Sequence, residues 1–263
     1  MIVTILGSGT SHGVPVIACS CPVCKSTDPR DARYRASALV RTDAGQSILL
    51  DAGPEFRLQA IRAGLTDLSA LLLTHSHADH LHGIDDLRAL SHDRAIPVYA
   101  LPQVNSEVRQ RFPYIFSAQT EGGGVPALEL RDIDPEASFE AAGTRILPVP
   151  IKHGSRDILG FRIGDFAYLT DCSSIPESSL PLLAKLDVLV IDGLRDRPHS
   201  THFSIEQAVR AAGIIRPRKA YLTHLCHEVS HGQALGLCRD YAVRQGLSED
   251  LAEPAYDGLS FRA

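Results

Sequence analysis

The chain has 263 residues, 44% hydrophobic and 22% charged, with a formal net charge of −5. That apolar content suffices for a sizeable core, and with no linker-like stretch the chain reads as one large domain, residues 1–263. The acidic balance argues against a surface built to grip long nucleic acid, and no apolar run approaches the roughly 20 residues of a membrane helix, so a small-molecule partner is expected.

Residues 2–6 read as a strand rather than an export leader, since no basic segment precedes them. With six cysteines in a chain of ordinary length, this points to reduced thiols and a cytoplasmic location. A loop rich in turn formers then places Cys19, Cys21 and Cys24 within six residues. Strands are expected at 37–42 and 47–51, the second ending Leu49-Leu50-Asp51-Ala52-Gly53, followed by a helical pattern near 55–64. The run 70–74 is apolar without alternation, as in a strand covered on both faces, and leads into His75-Ser76-His77-Ala78-Asp79-His80.

Helical patterns follow at 80–91 and 103–111, with a strand at 96–100 between them. The stretch 113–144, with Gly122-Gly123-Gly124 and several prolines, is the least regular: a flap over a site, or a surface excursion. Further strands are expected at 145–151, 158–163, 165–170, 187–192, 218–223 and 255–262, and helices at 204–213 and 231–245. Ser204-Ile205-Glu206-Gln207 has the form of a capping box, which puts His202 in the loop leading into a helix. The sum is sheets packed between helix layers.

The spacing of His75, His77, Asp79 and His80 suits two metal ions. His75 and His77, two apart on extended backbone, can point the same way, while Asp79 and His80 sit where the chain turns into a helix and can face a second ion. Imidazole with carboxylate favours zinc, iron or manganese over calcium or magnesium. More donors stand at the ends of later apolar strands: His153 after Ile151-Lys152, Asp171 after Tyr168-Leu169-Thr170, and His224 after Tyr221-Leu222-Thr223.

Together, in this order and with the strand ending in Asp51 upstream, these segments resemble the metallo-β-lactamase superfamily over nearly the whole chain. The resemblance implies an α/β fold, a four-layer αβ/βα sandwich with the site at one edge between two sheets. It also implies that His75, His77 and His153 bind one divalent ion and Asp79, His80 and His224 another, with Asp171 bridging both. Asp51 would orient ligands through hydrogen bonds without binding metal itself.

Three thiolates and one more donor would close a tetrahedral structural zinc site in a small N-terminal loop. His227 and Cys226 both follow His224 closely enough to be the fourth donor. With Gly7-Ser8-Gly9-Thr10-Ser11-His12-Gly13-Val14-Pro15 at the start, this loop resembles a narrower branch: the phosphodiesterases of phosphonate breakdown that open five-membered cyclic phosphates. There the cysteine loop and the position of His227 hold structural zinc, and His202 falls where the branch has a catalytic histidine.

The resemblance thus implies hydrolysis of a small, cyclic phosphodiester such as a phosphoribosyl cyclic phosphate or a 2′,3′-cyclic nucleotide. Two catalytic zinc or manganese ions are implied beside one structural zinc, with Asp79, Asp171 and His202 at the chemistry. The alternatives are a nuclease resembling those that trim transfer-RNA 3′ ends, and a non-catalytic carrier resembling a protein of a quinone cofactor pathway; a homodimer is left open. Cys172 and Cys238 read as buried cysteines, and His12, His82, His92, His199 and His231 as surface or supporting residues.

Overall fold

The computed structural model describes residues 1–117 and 124–263. One sheet contains β1 (Ile2–Gly7), β2 (Ser37–Arg41), β3 (Ser47–Leu50), β4 (Ala70–Leu72), β5 (Ile96–Ala100), β6 (Leu128–Asp132) and β14 (Ser260–Arg262), in the order β14-β1-β2-β3-β4-β5-β6. The other contains β7 (Phe139–Ala141), β8 (Thr144–His153), β9 (Arg156–Ile163), β10 (Phe166–Leu169), β11 (Val188–Asp192), β12 (Lys219–Thr223) and β13 (Ala252–Pro254), in the order β13-β12-β11-β10-β9-β8-β7.

Each sheet is antiparallel in one half and parallel in the other. Pairing is antiparallel from β14 through β3 and parallel from β3 through β6. Likewise it is antiparallel from β7 through β10 and parallel from β10 through β13. The parallel strands β4, β10 and β11 are buried along their whole length and apolar but for Asp192 at the end of β11, as expected of strands covered on both faces.

Helices cover the outer faces. Val40, Leu50, Leu72, Phe161, Tyr168 and Val190 belong to a core packed between the two sheets. Leu49, Leu71 and Val98 pack outward with Phe56 of α1 (Phe56–Arg62) and Val104 and Val108 of α3 (Pro102–Arg111). On the other side Leu189, Ile191 and Leu222 meet Val209 and Ala212 of α4 (Ile205–Ile215) and Ala234 and Cys238 of α5 (His231–Arg244). The result is the expected four-layer αβ/βα sandwich.

The capping box at Ser204 forms, with the Gln207 N–H donating to Ser204 Oγ and the Ser204 N–H donating to Gln207 Oε1. Ser230 and Gln233 make a second at the start of α5.

Three expectations need correction. The helix expected at 80–91 is a short α2 (Ala78–Leu81) followed by a 3-10 helix over Ile84–Leu90. The strand expected at 255–262 shrinks to β14, while β13 lies ahead of that range in the other sheet, and the turn between them has Gly258 at φ +93°. The irregular stretch 113–144, expected as a flap or a surface excursion, contains a 3-10 turn at Pro113–Phe116 and the edge strands β6 and β7, while its residues 118–123 lie outside the described residues.

Candidate metal centre

The site lies where parallel strands of both sheets end. The strands β3, β10 and β12 are followed by Asp51, Asp171 and His224, and each of these has a left-handed backbone, with φ of 61°, 54° and 61°. Few non-glycine residues adopt that conformation outside sharp turns, and it recurs where geometry serves function. Here it turns the chain abruptly at the strand end, so the side chains meet at the seam between the sheets.

His75, His77, His153 and Asp171 form one cluster, and Asp79, His80, His224 and Asp171 a second; within each, the donor atoms lie within 4.8 Å of one another. Asp171 is common to both and presents one oxygen to each. Its Oδ2 is 3.8 Å from Nε2 of His75 and of His153, and its Oδ1 is 3.0 Å from His80 Nε2 and 3.2 Å from His224 Nε2. Asp79 Oδ2 faces His80 Nε2 at 3.1 Å and His224 Nε2 at 3.6 Å.

Hydrogen bonds behind the rings set their direction. His80 Nδ1 donates to Asp51 Oδ2 (2.8 Å), and Thr74 donates to the same carboxylate from its backbone N–H (2.8 Å). His153 Nδ1 donates to the Thr201 carbonyl (2.7 Å). A proton held at Nδ1 leaves the Nε2 lone pair of both rings facing the clusters, the usual arrangement of a metal-binding histidine. The Nε2 atoms of His75, His80 and His224 are buried without a hydrogen-bond partner, a costly state for polar atoms that a cation would relieve.

Electrostatics point the same way. Burial opposes a charged His80, yet the carboxylates of Asp171, Asp79 and Asp51 outweigh it and push the imidazole well above the ordinary histidine range. Burial, reinforced by His80, holds His75 well below that range. For Asp171, burial is overcome by His224 and His80, so the carboxyl stays ionised at the centre of the site. A buried set of ionised oxygens and imidazole nitrogens, whose negative field already favours a positive charge at His80, is a donor set that fits divalent zinc or manganese.

Two close backbone approaches hold the loops together. Ala52 N donates to the His80 carbonyl and Gly83 N to the Ala52 carbonyl, both at 2.8 Å. A Cβ on Gly83 would lie 2.0 Å from the Gly53 carbonyl oxygen, so only glycine fits without displacing the loop that carries Asp51. Gly83→Ala is therefore expected to cost about 3 kcal/mol, the upper range for overpacking, read as a lowered denaturation midpoint at unchanged slope.

His202 is buried, not solvent-facing. Its Nδ1 lies 2.6 Å from Asp192 Oδ2, and its ring stacks on His224 with centroids 4.6 Å apart. Burial pushes the Asp192 carboxyl up and the His202 imidazole down, and the contact at Nδ1 leaves Nε2 as the free ring nitrogen. Asp192 escaped the sequence reading, although it closes the apolar strand Val188–Asp192 as Asp51 and Asp171 follow theirs. The Cys172 N–H donates to its Oδ2 at 2.8 Å.

The N-terminal loop brings its three thiols onto His227: the sulfurs of Cys19, Cys21 and Cys24 lie 3.3, 3.5 and 3.5 Å from His227 Nδ1. The cluster fits a small structural zinc site, and it settles on His227 over Cys226, whose sulfur instead accepts the Glu228 N–H at 3.4 Å. A backbone N–H from Cys24 draws the Cys21 thiol down to about 6, while burial pushes Cys24 up to about 11. Arg33, fully buried, ties the two parts together by donating to the carbonyls of Cys226 (2.7 Å) and Val229 (3.0 Å). Cys24→Ser is expected to release one equivalent of zinc and lower the melting temperature by about 5–10 °C, as loss of a saturating ligand does; an unchanged metal count would exclude the thiol from the site.

Other residues fall where expected or close by. Cys172 and Cys238 are buried; His231 is buried at the first position of α5, where its N–H donates to Asp31 (2.6 Å) and its ring meets Tyr256.

A model of the β-lactamase superfamily domain matches residues 46–225. The chain belongs to the metallo-β-lactamase superfamily, whose hydrolase fold it shares, and within it to the PhnP branch. A solved structure described as a new diphosphatase from the PhnP family is 37% identical, with a TM-score of 0.87 covering 100% of this chain and 97% of that one. An octanoyltransferase from Porphyromonas gingivalis is 43% identical over 224 residues, 85% of this chain but 45% of the relative, so the chain spans less than half of that protein's length. A coenzyme PQQ synthesis protein B from Rhodopseudomonas palustris is 31% identical over 225 residues, 73% of this chain and 72% of the relative. A zinc-bound PqqB from Methylobacterium extorquens, 21% identical with a TM-score of 0.78, shares the fold. No helix among the described residues is long and apolar enough to cross a membrane.

Proposed function

We propose that this chain is a metal-dependent phosphoric ester hydrolase acting on a small substrate, a cyclic phosphodiester or a diphosphate. The observation that carries the reading is the pair of donor clusters joined through the opposite oxygens of Asp171, with the His202–Asp192 pair at their edge. His75, His77 and His153 with Asp171 would hold one divalent ion, and Asp79, His80 and His224 with Asp171 the other. Two such ions supply Lewis acidity and neutralise charge on the phosphoryl oxygens.

The remaining roles belong to the chain itself. Asp51 and the Thr201 carbonyl keep His80 and His153 in the tautomers that face inward. Asp192 fixes His202 through Nδ1, so that a proton on Nε2 would be aimed at the departing oxygen as general acid. The diphosphatase relative supports chemistry at phosphorus. Octanoyl transfer is not assigned to this chain, because the clusters suit hydrolysis and the relative of that name is matched over 45% of its length.

The test is turnover of bis(p-nitrophenyl) phosphate, a 2′,3′-cyclic nucleotide and a nucleotide diphosphate ester by protein loaded with zinc or manganese. Hydrolysis of at least one is expected; fully loaded protein inert on all three would overturn the reading. A second reading, transfer-RNA 3′ processing, draws on the ribonuclease Z of Methanopyrus kandleri, 29% identical over 116 residues. The net charge of −5 weighs against it, and RNA cleavage that falls steeply with salt would favour it.

A further inference from the structure

We propose that the cavity between α1 and the strands β14, β1 and β2 binds a small phosphate monoester that also carries hydroxyl groups, at a site separate from the metal centre. The cavity has a volume of about 440 Å³, in keeping with a small-molecule site, and no residue of the two clusters that share Asp171 lines it. Its wall combines Arg41 at the end of β2, Gln59 and Arg62 of α1, Thr4 of β1, and Gly258 and Ser260 around the start of β14.

Two guanidiniums line this cavity without a counter-ion. Arg41 Nη2 donates to the Ala63 carbonyl (2.8 Å) and Arg62 Nη2 to the Asp257 carbonyl (3.0 Å), and neither has a carboxylate in ion-pair contact among the described residues. Arg94, Arg131 and Arg218 show the contrast, each paired with an acidic side chain. One nitrogen of each cavity arginine is thus anchored on backbone, and the remaining N–H groups of the planar fork are uncommitted, an arrangement suited to phosphate oxygens. A monocarboxylate would answer one of the two charges; a phosphate dianion answers both. The carboxyl in the wall is engaged elsewhere: Asp257 Oδ1 accepts from the N–H and hydroxyl of Ser8 (both 2.8 Å), and its Oδ2 from Tyr34 N (2.7 Å).

The rest of the wall suits the body of such a ligand. Gln59 is 1% exposed; its Nε2 donates to the Arg35 carbonyl (2.9 Å), but its Oε1 is buried without a partner. An orphaned acceptor calls for a donor, which a sugar-like hydroxyl supplies. Thr4 Oγ1 and Ser260 Oγ, 2.9 Å apart on paired strands, add two hydroxyls on the exposed side. Gly258 keeps the space open, since a Cβ there would lie 3.3 Å from Arg62 Nη2.

The experiment titrates glucose 6-phosphate, glucose and gluconate calorimetrically into the zinc-loaded parent, R41Q, R62Q, the double variant and the matching lysine variants, with Asp171→Asn as the control for the metal centre. Glucose 6-phosphate should bind the parent, and glucose and gluconate about tenfold or more less tightly. Each glutamine variant should weaken glucose 6-phosphate by about fivefold or more and the pair by about 20-fold or more, as lost charged hydrogen bonds do, with the lysine variants intermediate because they keep the charge without the fork. Asp171→Asn should bind it within about twofold of the parent, as independent sites do. Binding that survives the double variant, disappears in Asp171→Asn or is equalled by gluconate would overturn the proposal, as would a parent that binds none of the three. These titrations need no turnover, so they decide the cavity whatever the metal centre hydrolyses.

Discussion

Asp171→Ala should lose metal and activity together: bound divalent metal is expected to fall by at least one equivalent per chain, and phosphodiester turnover by well over the roughly 10- to 100-fold that outer partners of a metal site carry. The reason is geometric. One carboxylate serves both clusters, Oδ2 towards His75 and His153 and Oδ1 towards His80 and His224, so no single neighbouring residue can replace it. Removing it also strips the buried histidines of their central negative charge, the counterpart of the interactions that hold its own pKa well below the ordinary range. Asp171→Asn separates the parts, keeping the volume and one oxygen while losing the charge. Elemental analysis beside turnover is the measurement, and a fully loaded, active alanine variant would remove Asp171 from the centre.

His202→Ala should do the opposite, sparing the metal while cutting turnover by about 10²- to 10⁴-fold, the usual span of a positioned general acid. Its free Nε2 and its stacking on His224 place it beside the clusters, although it shares no donor atom with the two that contain Asp171. A diagnostic follows from leaving-group chemistry. An ester of a good leaving group such as p-nitrophenol needs little protonation, so it should lose less rate in H202A than an ester of an aliphatic alcohol. Asp192→Asn should lower turnover in the same sense, because the 2.6 Å contact that fixes the ring would be weakened. Equal losses on both ester types would assign His202 to positioning substrate instead.

Much of this arrangement was legible in the sequence because the donors sit where apolar strands stop. The runs ending at Asp51, His75, Asp171 and His224 carry a strand pattern followed by a residue that cannot be buried unpartnered, and the fold brings those ends together. Asp192 offered the same signal and differs only in serving a histidine instead of a cluster with Asp171. The elements that escaped did so for local reasons. β6, with the sequence Leu-Glu-Leu-Arg-Asp, is a largely exposed edge whose charges mask its strand pattern. β14 separates from β13 because Asp257 accepts hydrogen bonds from Ser8 N (2.8 Å) and Tyr34 N (2.7 Å), long-range contacts no local pattern announces. α2 yields to 3-10 geometry just after Gly83, whose backbone is pressed against the Asp51 loop.

The positive φ angles at Asp51, Asp171 and His224 have a consequence for how this protein would respond to selection. Each costs of order 1 kcal/mol that glycine would recover. That recovery would give up the hydrogen bonds to Asp51 and the charge of Asp171, so a library screened for turnover should retain the awkward residues at these corners.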